Sequence, residues 1–239
     1  MPYLADLYTQ HAALSLEKQL ALGEVIGANR FAFDADAGTL SFGPALSFPM
    51  QVLGTVSRQS STWLWAWASP HPLAPALLQA AHQLRALGQR TGIEELLDEG
   101  FDLVLPATLP LQPLSLPQQD PLDGHYLAML AAGVCGADAY YGADYDRGIA
   151  YVLLPHVPQL AAHPRDTPAE LAAVFTRLRQ LPYALDQRAA FGAYLQQKGY
   201  AAEQRGQQVR GTKGPGQLLA TFDGAGCLTA LEADGQAGY

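Results

Sequence analysis

A chain of 239 residues, of which 49% are apolar and only 15% charged, does not have the composition of a disordered protein and can bury a core without disulfides or metal. Its formal net charge of −8 comes from 22 acidic and 14 basic residues without a basic run, which argues against nucleic-acid binding. Neither a secretory signal nor an apolar stretch of membrane-spanning length is evident. We therefore expect a cytoplasmic globular protein, away from membranes, with Cys135 and Cys227 reduced.

The first part of the chain alternates between helix and strand patterns. Apolar residues at three- and four-residue spacing predict a helix over 3–27. Alternating phenylalanines around an Asp- and Gly-containing turn predict a hairpin over 31–42. Strands over 50–57 and 61–69 follow, so we expect a four-strand antiparallel meander curved around the first helix.

All three tryptophans lie at alternate positions of one stretch, STWLWAWAS, as Trp63, Trp65 and Trp67. On a strand they would share one face, and the apolar residues between them predict that the opposite face is covered as well. A buried indole N–H needs a hydrogen-bond partner, which often places one edge of the ring near a polar pocket. Two interpretations stay open: a plain wall of the core, or a core wall that also lines a ligand cleft.

The middle of the chain predicts two helices separated by a loop. The first helix is expected over 74–87. Five prolines within 106–121 predict a stiff loop. Asp120 and Pro121 are then the expected N-cap and first residue of a helix that reaches about Val134.

A change of composition to His, Pro and Ala over 155–168 suggests a boundary. We place a main α+β domain at 1–158, with the helix, the meander, further helices and a hairpin, and a C-terminal α+β portion at 165–239, which can pack as part of the same domain. The predicted fold class is α+β, with a curved antiparallel sheet packed on helices and a C-terminal helix–helix–three-strand portion. The elements expected in that portion are helices over 168–180 and 186–198 and strands near 205–212, 217–223 and 227–232.

The richest polar segment is ADAYYGADYDRGIAYVLLPH, at 137–156. Asp144 and Asp146 beside Arg147 could divide acid and base roles between two carboxylates of unequal pKa. The structural alternative is a hairpin with a turn at 146–148 and tyrosines paired across its strands. Including the tryptophans, the candidate ligand-binding residues are Trp63, Trp65, Trp67, Tyr140, Tyr141, Asp144, Tyr145, Asp146 and Arg147.

The remaining motifs give little evidence of catalysis or of metal binding. Asp123 and His125 in DPLDGHY suggest a catalytic pair, but helix capping explains the aspartate without chemistry. The sequence contains no phosphate-binding glycine loop, no GxSxG and no HExxH, and His156 and His163 are a poor metal pair. We expect no metal and no cofactor, and assign no catalytic residue.

The blocks QVLGTVS, STWLWAWAS and GADAYYGADYDRGIAYVLL together resemble an uncharacterised bacterial domain family that shares a QVLGT-x-S…TWLWAWA block. The resemblance covers about residues 1–155, with Ser69 where the family block usually ends in asparagine. It implies no assigned activity, so no site residue is carried over.

Two functions from different classes follow as expectations. The first is a non-catalytic binding or interaction protein, for example of the immunity type that occupies a partner's surface. The second is a small-molecule-binding protein or hydrolase-like enzyme, with a cleft between the tryptophan strand and the Tyr/Asp hairpin.

Overall fold

The computed structural model describes residues 3–104 and 122–233, together with the backbone of 236–238. The helices in these residues are α1 (Leu4–Ile26), α2 (Gln79–Thr91), α3 (Gly124–Cys135), α4 (Pro168–Leu178) and α5 (Gln187–Gln197). The strands are β1 (Phe31–Asp34), β2 (Thr39–Phe42), β3 (Leu46–Pro49), β4 (Gln51–Ser57), β5 (Thr62–Trp65), β6 (Gly100–Asp102), β7 (Ala139–Tyr145), β8 (Gly148–Leu154), β9 (Ala201–Arg205), β10 (Gln208–Lys213), β11 (Gly216–Phe222), β12 (Leu228–Ala233) and β13 (Gln236–Gly238). The proline-rich segment 106–121, with the predicted cap Asp120 and Pro121, lies outside the described residues.

The described strands form antiparallel sheets that are separate from one another. The first sheet contains β1, β2 and β3 in that order. The second has the order β6-β5-β4-β8-β7, and the third has the order β13-β12-β11-β10-β9. Since helices and antiparallel sheets occupy separate stretches of the chain, the predicted α+β class is confirmed.

The predicted four-strand meander is wrong, because its strands belong to two sheets. An additional strand, β3, completes the first sheet, and β4 then pairs with β5 on one side and β8 on the other. Sequence patterns do not reveal β3 because Pro44 precedes it and Pro49 ends it, and proline argues against a strand. The structure tolerates Pro49 at the end of an edge strand, where fewer backbone hydrogen bonds are needed.

The second sheet is covered on both faces. Trp63 and Tyr151 belong to the apolar cluster that includes α1 and α3. Val52 and Val152, on the other face, pack in a second cluster with Phe42 of the first sheet. The sheet therefore lies between a helical layer and a second β layer, which explains why β5 is apolar at successive positions.

The tryptophan run leaves the sheet after Trp65. A 3₁₀ turn, Ala66–Ala68, follows β5, so the prediction that Trp67 continues the strand is wrong. Alanine has little preference for strands, and the two alanines around Trp67 suit a helical turn. Trp63 and Trp65 share one face and meet edge to face, with ring centroids 5.1 Å apart.

Two helices begin later than predicted. A 3₁₀ turn, Pro75–Leu77, precedes α2, which continues beyond the predicted end to Thr91. The predicted start of α3 at Asp120 is wrong, because Asp123 is the N-cap and accepts a hydrogen bond from the backbone N–H of Tyr126. None of the described helices is long and apolar enough to cross a membrane.

The C-terminal portion contains the two predicted helices and more strands than the three predicted. β9 and β13 are the additional ones. β9 shows no apolar alternation because all five of its residues are exposed. α4 and α5 pack on the third sheet and also contact α1, and one apolar cluster includes residues from all three helices and from the second and third sheets. The boundary between 1–158 and 165–239 stays a prediction.

Gly54→Ala tests the close packing between β4 and β5. A Cβ at this position would lie 2.5 Å from the carbonyl oxygen of Leu64 and 2.6 Å from Cζ2 of Trp63, so both must move. We expect a loss of about 1–3 kcal/mol in the free energy of unfolding, measured by urea titration. Gly23→Ala in α1 is the control, because its Cβ would meet nothing within 4 Å. Equal stabilities for the two variants would contradict this account.

Candidate functional site

The candidate residues predicted from the sequence fall into buried and exposed groups. Trp63, Trp65 and Tyr140 are buried, and Trp67 and Tyr141 are half-buried. The exposed ones lie together at the end of the β7–β8 hairpin: Asp144, Tyr145, Asp146 and Arg147. The structure therefore does not bring the nine predicted residues together into one site.

The end of the β7–β8 hairpin lies against the β4–β5 turn. The Arg58 guanidinium forms an ion pair with Asp144, and the backbone N–H of Arg58 donates to the carbonyl of Arg147 over 3.1 Å. Tyr145 is 43% exposed beside this contact. We call residues 58–60 and 144–147 the hairpin-tip surface.

The predicted pairing of tyrosines across the β7–β8 hairpin is wrong. Tyr140 lies opposite Leu153, and Tyr145 lies opposite Gly148. Tyr151 lies opposite Gly142, where a Cβ would come within 3.3 Å of the tyrosine ring. This register places Tyr145 and Tyr151 opposite glycines, which leave room for their rings in the sheet.

A buried cluster of tyrosines surrounds the start of α3. The Asp123 carboxylate accepts hydrogen bonds from the Tyr183 hydroxyl, 2.8 and 3.0 Å from its two oxygens. Tyr8 of α1 stacks on Tyr126, with ring centroids 4.1 Å apart and an interplanar angle of 11°. With Tyr140 and Tyr151, these residues form what we call the tyrosine–aspartate cluster.

The surface of this cluster is occupied by His125. Its imidazole is exposed, with Nδ1 3.4 Å from the Tyr140 hydroxyl and its ring edge-on to Tyr151. A Cβ on Gly124 would lie 2.2 Å from the Tyr151 ring, so the first turn of α3 rests directly on that ring. The sequence suggested Asp123 and His125 as a pair that capping explains equally well, and it gave no signal for Tyr8 and Tyr183, which are far away in the chain and carry no local motif.

Burial determines the protonation of the cluster. It raises the pKa of Tyr8, Tyr140, Tyr151 and Tyr183, and the charge of Asp123 raises each of them further. The phenols therefore stay protonated near neutral pH and act as hydrogen-bond donors rather than bases. Burial likewise raises the pKa of the Cys135 thiol to about 12, so it is not a thiolate nucleophile.

The indole N–H groups have unequal surroundings. Trp65 donates from Nε1 to the carbonyl of Glu95 over 2.9 Å. Nε1 of Trp63 and Nε1 of Trp67 are buried with no hydrogen-bond partner among the described residues. The Trp63 ring contacts Tyr151 at a centroid distance of 5.7 Å, and Arg85 lies 4.0 Å above the Trp67 ring.

Acidic and histidine side chains pair off without forming a metal site. His163 Nδ1 lies 3.1 Å from Glu24, and His156 Nδ1 lies 3.5 Å from Asp138. Residues 3–104 and 122–233 contain no group of three or more His, Cys, Asp or Glu side chains that could hold a metal ion.

Residues 5–157, from α1 to just after β8, match the model of a family of unknown function, DUF6882. The chain belongs to this family. The predicted membership of an uncharacterised domain family is thus confirmed. No curated protein and no solved structure matches the chain.

The matched range contains the hairpin-tip surface and most of the tyrosine–aspartate cluster. Tyr183 is different, because it belongs to the segment between α4 and α5, beyond the DUF6882 match. Its hydroxyl nevertheless bonds to Asp123 inside the match. The family region therefore has one of its half-buried carboxylates satisfied by a side chain from the C-terminal portion.

Tyr183→Phe tests that bond. Loss of a hydrogen bond to a charged acceptor is expected to lower the free energy of unfolding by about 1.5–3 kcal/mol at neutral pH. Because the pKa of Tyr183 is raised on folding, its stabilising effect is complete below the ordinary value of 10.0 and is lost at higher pH. As the pH rises above that value, the free energy of unfolding should therefore fall less in the variant than in the wild type. Tyr145→Phe, at an exposed position, is the control; an equal effect there would contradict this role.

Proposed function

We propose that the protein is a non-catalytic binding protein of the bacterial cytoplasm, of the immunity type, and that the hairpin-tip surface contacts its protein partner. The observation that carries this proposal is the contact of Arg58 with Asp144, which joins two hairpin ends into one exposed surface. Tyr145 and Arg147 are exposed beside it. Tyrosine and arginine are the residue types enriched at the energetic centres of protein interfaces.

The second sheet supports the proposal by holding this surface in a fixed shape. Both hairpin ends belong to that sheet, and β4 is hydrogen-bonded to β5 and β8. A surface that is already ordered loses little conformational entropy on binding. The buried phenols are protonated donors, which favours binding over acid–base catalysis.

A double variant, Tyr145→Ala with Arg147→Ala, tests the proposal. The tagged full-length chain is used to capture proteins from the lysate of its source cells, and the stoichiometric partner is then titrated against each purified variant. We expect the double variant to bind at least about 30-fold more weakly, since a side chain at an energetic centre contributes 2 kcal/mol or more. Its melting temperature should match that of the wild type, because both side chains are exposed.

Phe33→Ala is the matched control, because Phe33 is also exposed but belongs to the first sheet. It should bind the partner like the wild type. Absence of any stoichiometric partner, or undiminished binding by the double variant, would contradict the proposed surface.

A second candidate, a small-molecule binder, is favoured by the neighbourhood of His125. This exposed imidazole lies beside Tyr151, which contacts Trp63 with its unpartnered Nε1. It differs from the cleft expected from the sequence, because β4 lies between the tryptophan strand and the β7–β8 hairpin. A metabolite that shifts tryptophan emission in the wild type but not in Trp63→Phe would favour this candidate over the interaction protein.

A further inference from the structure

The third sheet ends in a strand whose outer edge has no neighbour among the described residues. β9 is the last strand of that sheet, and within 3–104 and 122–233 it pairs with β10 alone. All five of its residues are exposed. Half of its backbone N–H and C=O groups therefore point away from β10, as in any edge strand that can accept a further strand.

A groove runs beside this edge, between β9 and α5. Its volume is about 280 Å³. It is lined from α5 by Ala189, Gly192, Ala193 and Gln196, from β9 by Ala202 and Gln204, and from β10 by Val209. The α5 positions recur at helical spacing on one side of the helix, and a Cβ on Gly192 would meet nothing within 4 Å.

The dimensions of the groove fit an extended peptide. From residue 188 to residue 196, α5 rises by about 12 Å, which corresponds to about four residues of a strand. A strand added to β9 would place every second side chain over α5 and the next one on the opposite face. The small side chains on α5 leave space for those side chains of the added strand that lie over the helix.

The charge in the groove lining indicates the charge of the segment that would bind there. Arg188 is the one charged residue among the described residues that line it. Its Nη2 donates to the carbonyl of Asp223 over 3.0 Å, its guanidinium carbon lies 5.5 Å from the centre of the Phe222 ring, and its Nε is buried. No described carboxylate pairs with this arginine, so an occupant that brings a carboxylate to the groove side of the guanidinium would add a charge-assisted hydrogen bond.

The direction of the added strand follows from the sheet. All pairings in the third sheet are antiparallel, and α5 runs antiparallel to β9 because the chain reverses at Gly199. Arg188, in the first turn of α5, therefore lies near the end of β9. A strand antiparallel to β9 has its N-terminal end at that place, so the carboxylate must come from a side chain.

We propose that this groove binds an extended acidic segment of another protein, which adds to β9 as an antiparallel strand and places an Asp or Glu side chain on Arg188. The charges of β9 itself do not interfere, since Glu203 and Arg205 form an ion pair with each other over 2.7 Å. A second copy of the chain fits less well, because its β9 offers only Glu203, whose carboxylate is already paired. The site lies outside the DUF6882 match and does not depend on the hairpin-tip surface.

The first experiment selects ligands from a library of randomised eight-residue peptides displayed on phage, with the full-length chain as bait. Binders that also bind Gly192→Leu are removed, because a leucine at that position fills the groove. We expect a consensus with alternating small apolar residues and one acidic residue near the N-terminal end. No enrichment, or a consensus without an acidic position, would overturn the proposal.

The second experiment measures the affinity of the selected peptide for two charge variants. Arg188→Gln should bind at least about tenfold more weakly, as expected for loss of a charge-assisted hydrogen bond. Arg177→Gln is the matched control, since it removes the same charge from an exposed position of α4 outside the groove lining, and it should bind like the wild type. Equal losses in both variants would overturn the assignment of Arg188.

The mode of binding is read from amide hydrogen exchange. Backbone amides of β9 should become protected when the peptide is bound, whereas protection elsewhere alone would overturn strand addition. Sedimentation equilibrium without peptide tests the other occupant. A dimer that Gly192→Leu abolishes would show that a second copy fills the groove instead.

Discussion

The buried carboxylate of Glu17 is the interaction on which the joining of the chain's two portions depends. It lies on α1, is 7% exposed, and accepts hydrogen bonds from the Tyr194 hydroxyl and, over 2.7 Å, from Lys198 Nζ. Although burial lowers the pKa of Lys198, its hydrogen bonds to Glu17 and Asp166 raise it above its ordinary value. Removing one partner of such a buried pair costs about 3–5 kcal/mol, because the other charge is left uncompensated. This group holds the C-terminal end of α5 against the middle of α1.

The same principle recurs at Asp123. Tyr183 reaches it from the C-terminal portion as Tyr194 reaches Glu17, so two carboxylates inside the DUF6882 match are bonded by tyrosines from outside it. Both phenols have a raised pKa, because burial and the adjacent carboxylate disfavour the phenolate. Each phenol therefore remains a hydrogen-bond donor to its carboxylate at neutral pH. The C-terminal portion thus completes the polar interior of the family region.

Local patterns predicted elements that carry a clear apolar period, and they failed where tertiary context decides. α1 and β11 lie close to where they were predicted, and burial alternates along β11. β9 was not predicted, because an exposed edge strand has no buried face and its sequence therefore shows no apolar alternation. The candidate site shows the same division. The hairpin tip could be predicted because its residues are neighbours in the chain, whereas the contact between Tyr8 and Tyr183 joins segments that no local motif relates.

The tryptophans connect the core of the second sheet with its exposed hairpin ends. The Trp63 ring packs over Gly54, where a Cβ would lie 2.6 Å from Cζ2, so glycine leaves room for the indole. At the other edge of β4, a Cβ on Gly148 would lie 2.0 Å from the carbonyl oxygen of Val56, so a side chain there would disturb the pairing of β8 with β4. The two glycines thus let β5 and β8 both pair with β4, which leads directly into the turn that carries Arg58. Through this packing, the Trp63 indole helps to fix the strand end from which Arg58 reaches Asp144.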